Sequence, residues 1–273
     1  MLEPIFIAML LALGVVAGFL AGLLGIGGGM ILVPFLVMIL TAVGFPADAI
    51  IKVAIATSLT TILFTSMSSL RAHHRRGAVR WDIVKALAPG IVVGTLLGAQ
   101  VVGALPGRLI AAFFAAFIGW SAVKMLLRRK TTGRDGQPRA LPGAPGLFAT
   151  GGIIGLLSAF LGAGGGFLTI PFLTGRNIQI QQAIATSAAC GFPIALAGTL
   201  GYIIAGWNVH LPSQTFGYLY LPALAIITPA SVLIAPLGAR TAHALSVDRM
   251  RVVFALLLVG LAGYMLTRAL GRG

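Results

Sequence analysis

Acidic residues are nearly missing from this chain: five Asp and Glu in 273 residues, against 19 Lys and Arg. Charged residues of both signs reach only 9%, where a soluble domain carries roughly 25%. So few charges cannot cover a water-facing surface for a chain of this size, which excludes a soluble globular enzyme. The single Cys190 excludes an internal disulfide and leaves no cysteine spacing for a metal. A Walker A pattern is also missing, so this chain alone does not bind ATP. The net charge of +14 does not signal nucleic acid, because the basic residues fall in short clusters between apolar runs.

What is present is apolar. Hydrophobic residues make up 58% and there are 37 glycines, with a mean hydropathy of +1.03. A span needs about 20 apolar residues, so the chain holds material for about eight to ten membrane segments. The expected fold is an all-α polytopic membrane protein. Met1–Pro4 has no basic stretch and no cleavage site interrupts Ile5–Leu24, so the first apolar run reads as a retained membrane segment. The runs near Met30–Val43 and Phe167–Leu173 are too short to cross a core of ~30 Å and read as half-helices or re-entrant segments.

A polar stretch rich in Gly, Pro and charge, residues 128–145, divides the chain into residues 1–127 and 146–273. The two parts match each other. Gly25-Ile-Gly-Gly-Gly-Met-Ile-Leu-Val-Pro34 corresponds to Gly162-Ala-Gly-Gly-Gly-Phe-Leu-Thr-Ile-Pro171, and Ala54-Ile-Ala-Thr57-Ser58 recurs letter for letter at Ala183–Ser187. Pro89 with Gly98-Ala99 recurs as Pro229 with Gly238-Ala239. Three blocks in one order indicate an internal duplication, a habit of transporters. The basic loop Arg71–Arg80 and the linker are assigned to the cytoplasm. The loop corresponding to Arg71–Arg80, Trp207–Gly217, has no Lys or Arg and is assigned outside, so the repeats are expected to be inverted.

Three consecutive glycines make a poor helix interior, each costing about 1 kcal/mol relative to Ala. At Gly27–Gly29 and Gly164–Gly166 they are expected to break the helix, with Gly25, Pro34, Gly162 and Pro171 shaping the break. A helix restarting there aims its first N–H groups at the gap and favours an anion without a buried Arg or Lys. Irregular backbone at membrane depth is tolerated only inside protein or against water, so the triplets read as substrate-lining and the Gly18/Gly22 and Gly94/Gly98 pairs as helix packing. The hydroxyl pairs Thr57-Ser58 and Thr186-Ser187 either bind a substrate oxyanion or bond to backbone and neighbouring helices. Lys52 is expected to snorkel to the outer interface. His73-His74, flanked by arginines and far from any second ligand group, reads as part of a topogenic loop rather than a metal site. No cofactor is expected. The partners expected are a small anionic substrate and the bilayer.

On the duplicated Gly-rich block ending at Pro34 and Pro171, and the duplicated Ala-Ile-Ala-Thr-Ser, the chain resembles the sulfite exporter TauE/SafE family, also called the toluene sulfonate uptake permeases. The resemblance covers nearly the whole chain. It implies a carrier of the bacterial inner membrane for sulfur-containing anions such as sulfite, sulfoacetate or other organosulfonates. An anion channel, and a membrane enzyme or assembly subunit, are the alternatives. The Asp residues 48, 82 and 248 lie near segment ends, so no coupling carboxylate is evident.

Overall fold

A computed structural model of the chain describes residues 3–24, 28–75, 77–127, 140–242 and 247–271. Gly25, Gly27 and the linker residues 128–139 lie outside the described residues. The described chain is a bundle of helices: α1 Pro4–Leu24, α2 Gly29–Ala42, α3 Ala47–Arg75, α4 Trp81–Ala104 and α5 Gly107–Leu127, then α6 Ala144–Leu161, α7 Gly166–Thr174, α8 Ile180–Ala205, α9 Leu221–Ala242 and α10 Val247–Ala269. Among the described residues six of these, α1, α3, α4, α5, α6 and α8, are long and apolar enough to cross a bilayer. The 14 residues of α2 and the nine of α7 rise only about 21 and 14 Å, short of a ~30 Å core. Both short elements therefore remain inside the protein.

The centre of the bundle is α3 against α8. In their apolar windows 72% and 56% of residues are buried, against 33–44% for the other four spanning helices, so the rest of the fold wraps these two. They run antiparallel: Thr60 Oγ1 lies 3.2 Å from Thr199 Oγ1, whereas Gly191 faces Ser66. The helices α5 and α10 also pair antiparallel, with Gly119 beside Ala262 and Arg108 beside Gly271.

Glycine sets how closely the outer helices approach. On α1, a methyl at Gly18 would meet the Ser231 carbonyl oxygen of α9 at 2.5 Å, and one at Gly14 would lie 2.8 Å from the Ala230 Cβ. On α6, Gly151 and Gly155 abut the backbones of Leu87 and Ile91 of α4 in the same way, and Gly94 abuts Gly152. So α1 docks on α9 and α6 on α4, each across the divide between the two parts of the chain. Small residues are the means by which membrane helices gain van der Waals contact without a hydrophobic driving force.

Three local features differ from the sequence reading. Pro34 and Pro171 lie inside α2 and α7, which run on past them, so neither proline breaks a helix. Proline forfeits one N–H bond to the residue four before it, and here that residue is Met30 or Phe167, in the first turn. The breaks are made upstream, by glycine. Lys52 is held by partners that the sequence reading did not give it. Its Nζ donates to the Gly103 carbonyl at 2.7 Å and lies 5.7 Å from the centre of the Tyr218 ring. The last carbonyls of α4 have no helical partner and carry the negative end of its dipole, so they draw the ammonium in. Lys52→Met is expected to lower stability by about 1 kcal/mol, read as a lower Tm in detergent, and Lys52→Arg to retain most of it.

The third difference is a hairpin. Strands β1 (Thr215–Phe216) and β2 (Leu219–Tyr220) pair antiparallel across a turn at Gly217–Tyr218. The turn folds onto the end of α8, where the Tyr218 N–H donates to the Tyr202 carbonyl at 3.3 Å. His74 takes no part in a metal group among the described residues. Its Nδ1 accepts from Trp81 Nε1 at 3.2 Å and so ties the α3–α4 corner.

Candidate functional site

Each short helix begins at a glycine in the left-handed region. Gly28 has φ 68° and precedes α2; Gly165 has φ 74° and precedes α7. A side chain at either position would be strained, and only glycine adopts this conformation at little cost. The Gly28 carbonyl accepts from the N–H groups of Ile31 and Leu32 at 3.1 and 3.0 Å, and the Gly165 carbonyl from Leu168 and Thr169 at 3.0 and 2.9 Å. The two helix starts thus have one geometry, and neither has a side-chain cap. On the chain before α7, Gly162 closes α6 in the left-handed conformation.

The two breaks touch. Gly29 packs directly against the Gly162 carbonyl, and a methyl at Gly162 would meet Val33 Cγ2 at 2.7 Å and the Ile55 backbone at 3.2 Å. Ser58, fully buried on α3, donates its hydroxyl to the same Gly162 carbonyl at 2.8 Å. Gly164 lies against Ile62 of α3, and its carbonyl faces Gly191 of α8. Gly29, Ser58, Gly162, Gly164 and Gly165 therefore gather around the central pair of helices, whereas Gly28 packs on Ala17 and Ala21 of α1. Gly27 and Gly25 lie outside the described residues.

The threonines of the duplicated motif each accept a backbone N–H. Thr57 Oγ1 accepts the N–H of Tyr220 at 3.2 Å, and Thr186 Oγ1 accepts the N–H of Arg80 at 3.1 Å. Tyr220 and Arg80 immediately precede α9 and α4. Each threonine thus satisfies an N–H at the opening of a helix from the other part of the chain, in place of a local cap. Ser187 is buried as deeply as its neighbours on α8 and makes no hydrogen bond among the described residues. The order in the motif matters: the first hydroxyl joins a helix start and the second, in Ser58, joins a break.

The sequence reading missed three buried hydroxyls. Thr95, Ser158 and Thr169 are wholly inaccessible and have no hydrogen-bond partner among the described residues. Two of them carry a visible signal. Ser158 and Thr169 stand where the matching block of the first part has Ala21 and Leu32. Carboxylates are kept away: Asp48 and Asp82 sit in the first turns of α3 and α4, and Glu3 precedes α1. The surroundings of the breaks are thus rich in hydrogen-bond donors and free of described acidic groups.

Spanning helices around two short, glycine-opened ones define a multi-pass helical membrane transporter. Residues 10–265 match the sulfite exporter TauE/SafE family, and the chain belongs to that family. A probable membrane transporter protein of Haemophilus influenzae is 39% identical over 259 residues, covering 94% of this chain and 97% of its own. One from Methanocaldococcus jannaschii is 24% identical, with 96% of each chain covered. A third, from Bacillus subtilis, is 27% identical over 72% of this chain and 78% of its own. No solved structure matches.

Proposed function

We propose that the protein is a secondary carrier that moves small sulfur-containing anions, such as sulfite, sulfoacetate or another organosulfonate, across the bacterial inner membrane. The observation that carries this reading is the pair of left-handed helix starts at Gly28, against α1, and Gly165, against Ile194 of α8 and the Ser158 hydroxyl, with no described carboxylate beside either. A helix start carries about half a positive charge in exposed N–H groups, which suits an anion and repels a metal cation. A site made of backbone dipoles lets the anion leave again, as a carrier requires; a fixed buried guanidinium would hold it more tightly.

The carrier reading rests on two inverted repeats, residues 1–127 and 146–273, joined by a cytoplasmic linker. Support comes from which helices pair. Corresponding helices, α3 with α8 and α5 with α10, pack antiparallel, which a twofold axis in the membrane plane produces and an axis along the normal does not. The exchange of partners, α1 on α9 and α6 on α4, obeys the same axis, as do the two threonine bonds. Rocking one repeat against the other around the breaks then gives alternating access.

The test is uptake by purified protein in liposomes. Sulfite and a panel of organosulfonates are offered with and without a proton gradient. Saturable uptake with counterflow, at rates far below a channel's, is expected; single-channel currents with no counterflow would make the protein a pore, and no flux of any sulfur anion would remove the substrate class.

A further inference from the structure

The two breaks have one backbone but different linings. A Cβ built on Gly28 meets the methyl of Ala21 at 3.0 Å, and a Cβ built on Gly165 meets Ser158 Oγ at 3.2 Å. Ala21 and Ser158 hold corresponding places in the two repeats. One turn into the short helices, Leu32 corresponds to Thr169, whose N–H closes the first turn of α7 on Gly165. So at these two positions an apolar side chain beside the first break has a hydroxyl in its place in the second. Both hydroxyls are fully buried, and neither has a partner among the described residues. An unpartnered buried hydroxyl costs free energy, as a group awaiting an acceptor does.

We propose that the oxyanion subsite is one-sided: Ser158 and Thr169, with the opening turn of α7, donate to the anion, while the first break, lined by Ala21 and Leu32, shapes the fold and makes no such contact. This rests on the anion-carrier reading above and deepens it. Serine and threonine hydroxyls donate to acceptor oxygens, and the α7 start adds backbone N–H groups at the positive end of its dipole. Every contact offered is a donor, which matches a sulfite or sulfonate headgroup, whose oxygens only accept. On this side Gly165 is faced by side-chain atoms only, the Ile194 Cδ1 and Ile154 Cγ2 methyls and Ser158 Oγ.

The sign of the stability change separates a binding role from a structural one. Ser158→Ala removes a hydroxyl that has no partner, so in anion-free buffer its Tm is expected to equal or exceed that of the wild type. A hydroxyl that held the fold together would lower it. The probes are sulfite and methanesulfonate, each titrated against Tm for full-length protein in detergent and against uptake in liposomes. Wild type is expected to gain stability with the logarithm of anion concentration. Ser158→Ala and Thr169→Val are expected to need roughly tenfold or more anion for the same gain and the same uptake. Ala21→Ser and Leu32→Thr, the reciprocal changes in the first repeat, are expected to leave the anion dependence unaltered. Wild-type anion dependence in Ser158→Ala and Thr169→Val overturns the one-sided subsite and leaves the carrier reading standing. Anion-dependent stabilisation lost in those variants, with no uptake by the wild type, upholds the subsite and overturns the carrier reading. A wild type indifferent to both anions means the hydroxyls hold water only, and overturns the subsite.

Discussion

Gly29→Ala is expected to destabilise the protein more than any other single methyl added at the breaks, by at least ~3 kcal/mol, above the usual range for overpacking a core. The added methyl would lie on the carbonyl oxygen of Gly162, and both partners are backbone atoms in the middle of the bundle. A flexible side chain can turn away from such a contact; here α2 must separate from the α6–α7 corner. That separation also pulls the Gly162 carbonyl from Ser58, adding the cost of a lost buried hydrogen bond. Thermal unfolding in detergent gives the measurement, with Gly119→Ala as the comparison because a methyl there meets only Ala262 Cβ at 3.8 Å. Ser58→Ala should cost about 1 kcal/mol. If Gly29→Ala melts with Gly119→Ala and the wild type, the two breaks do not touch in the membrane as they do here.

Thr57→Val and Thr186→Val are each expected to lower stability, because each leaves a backbone N–H at a helix start without its acceptor. The loss should be about 1–3 kcal/mol at Thr57, whose bond to Tyr220 is buried, and smaller at Thr186, whose bond to Arg80 is only part-buried and open to replacement by water. Thr57→Ser and Thr186→Ser keep the oxygen and should recover most of the loss. Reduced uptake in the valine variants accompanied by lower stability reflects the loosened start of α9 or α4 rather than a missing ligand. Chemical denaturation followed in parallel with anion titration distinguishes these. Full stability with weakened anion dependence in both variants would return the threonines to the anion.

Much of this arrangement was legible in the residues. Hydropathy marked the runs that became the helices, because in lipid every backbone group must bond within its own segment. The Gly triplets marked the breaks, since no helix interior tolerates three glycines cheaply. What hydropathy could not reveal is which hydroxyl meets which backbone group. Thr57 and Tyr220 are 163 positions apart, and only the docking of the two parts of the chain brings them together. Pro34 misled for a local reason: the glycines before it already make the break, and α2 runs on past it with one N–H bond forgone. The partner of Lys52 was hidden because the acceptor that holds it, Gly103, belongs to another helix. Thr215–Tyr220 has too few residues to show an alternating pattern. Ser158 and Thr169 were within reach all along, as places within or just before the matched Gly-rich block where the two parts of the chain differ.

The exchange of partners between α1 and α9 has a consequence for how the chain is made. About 200 residues separate the two helices, and at ~5–20 residues per second the ribosome takes roughly 10–40 s to supply the second after the first. Throughout that interval the groove around Gly14 and Gly18 faces lipid or the insertion machinery, because the backbone it is cut to fit does not yet exist. The same holds more briefly for α4, whose glycines wait for α6. Insertion and assembly are therefore separate events in this protein. The first half enters the bilayer early but acquires its interior only when the chain is nearly finished.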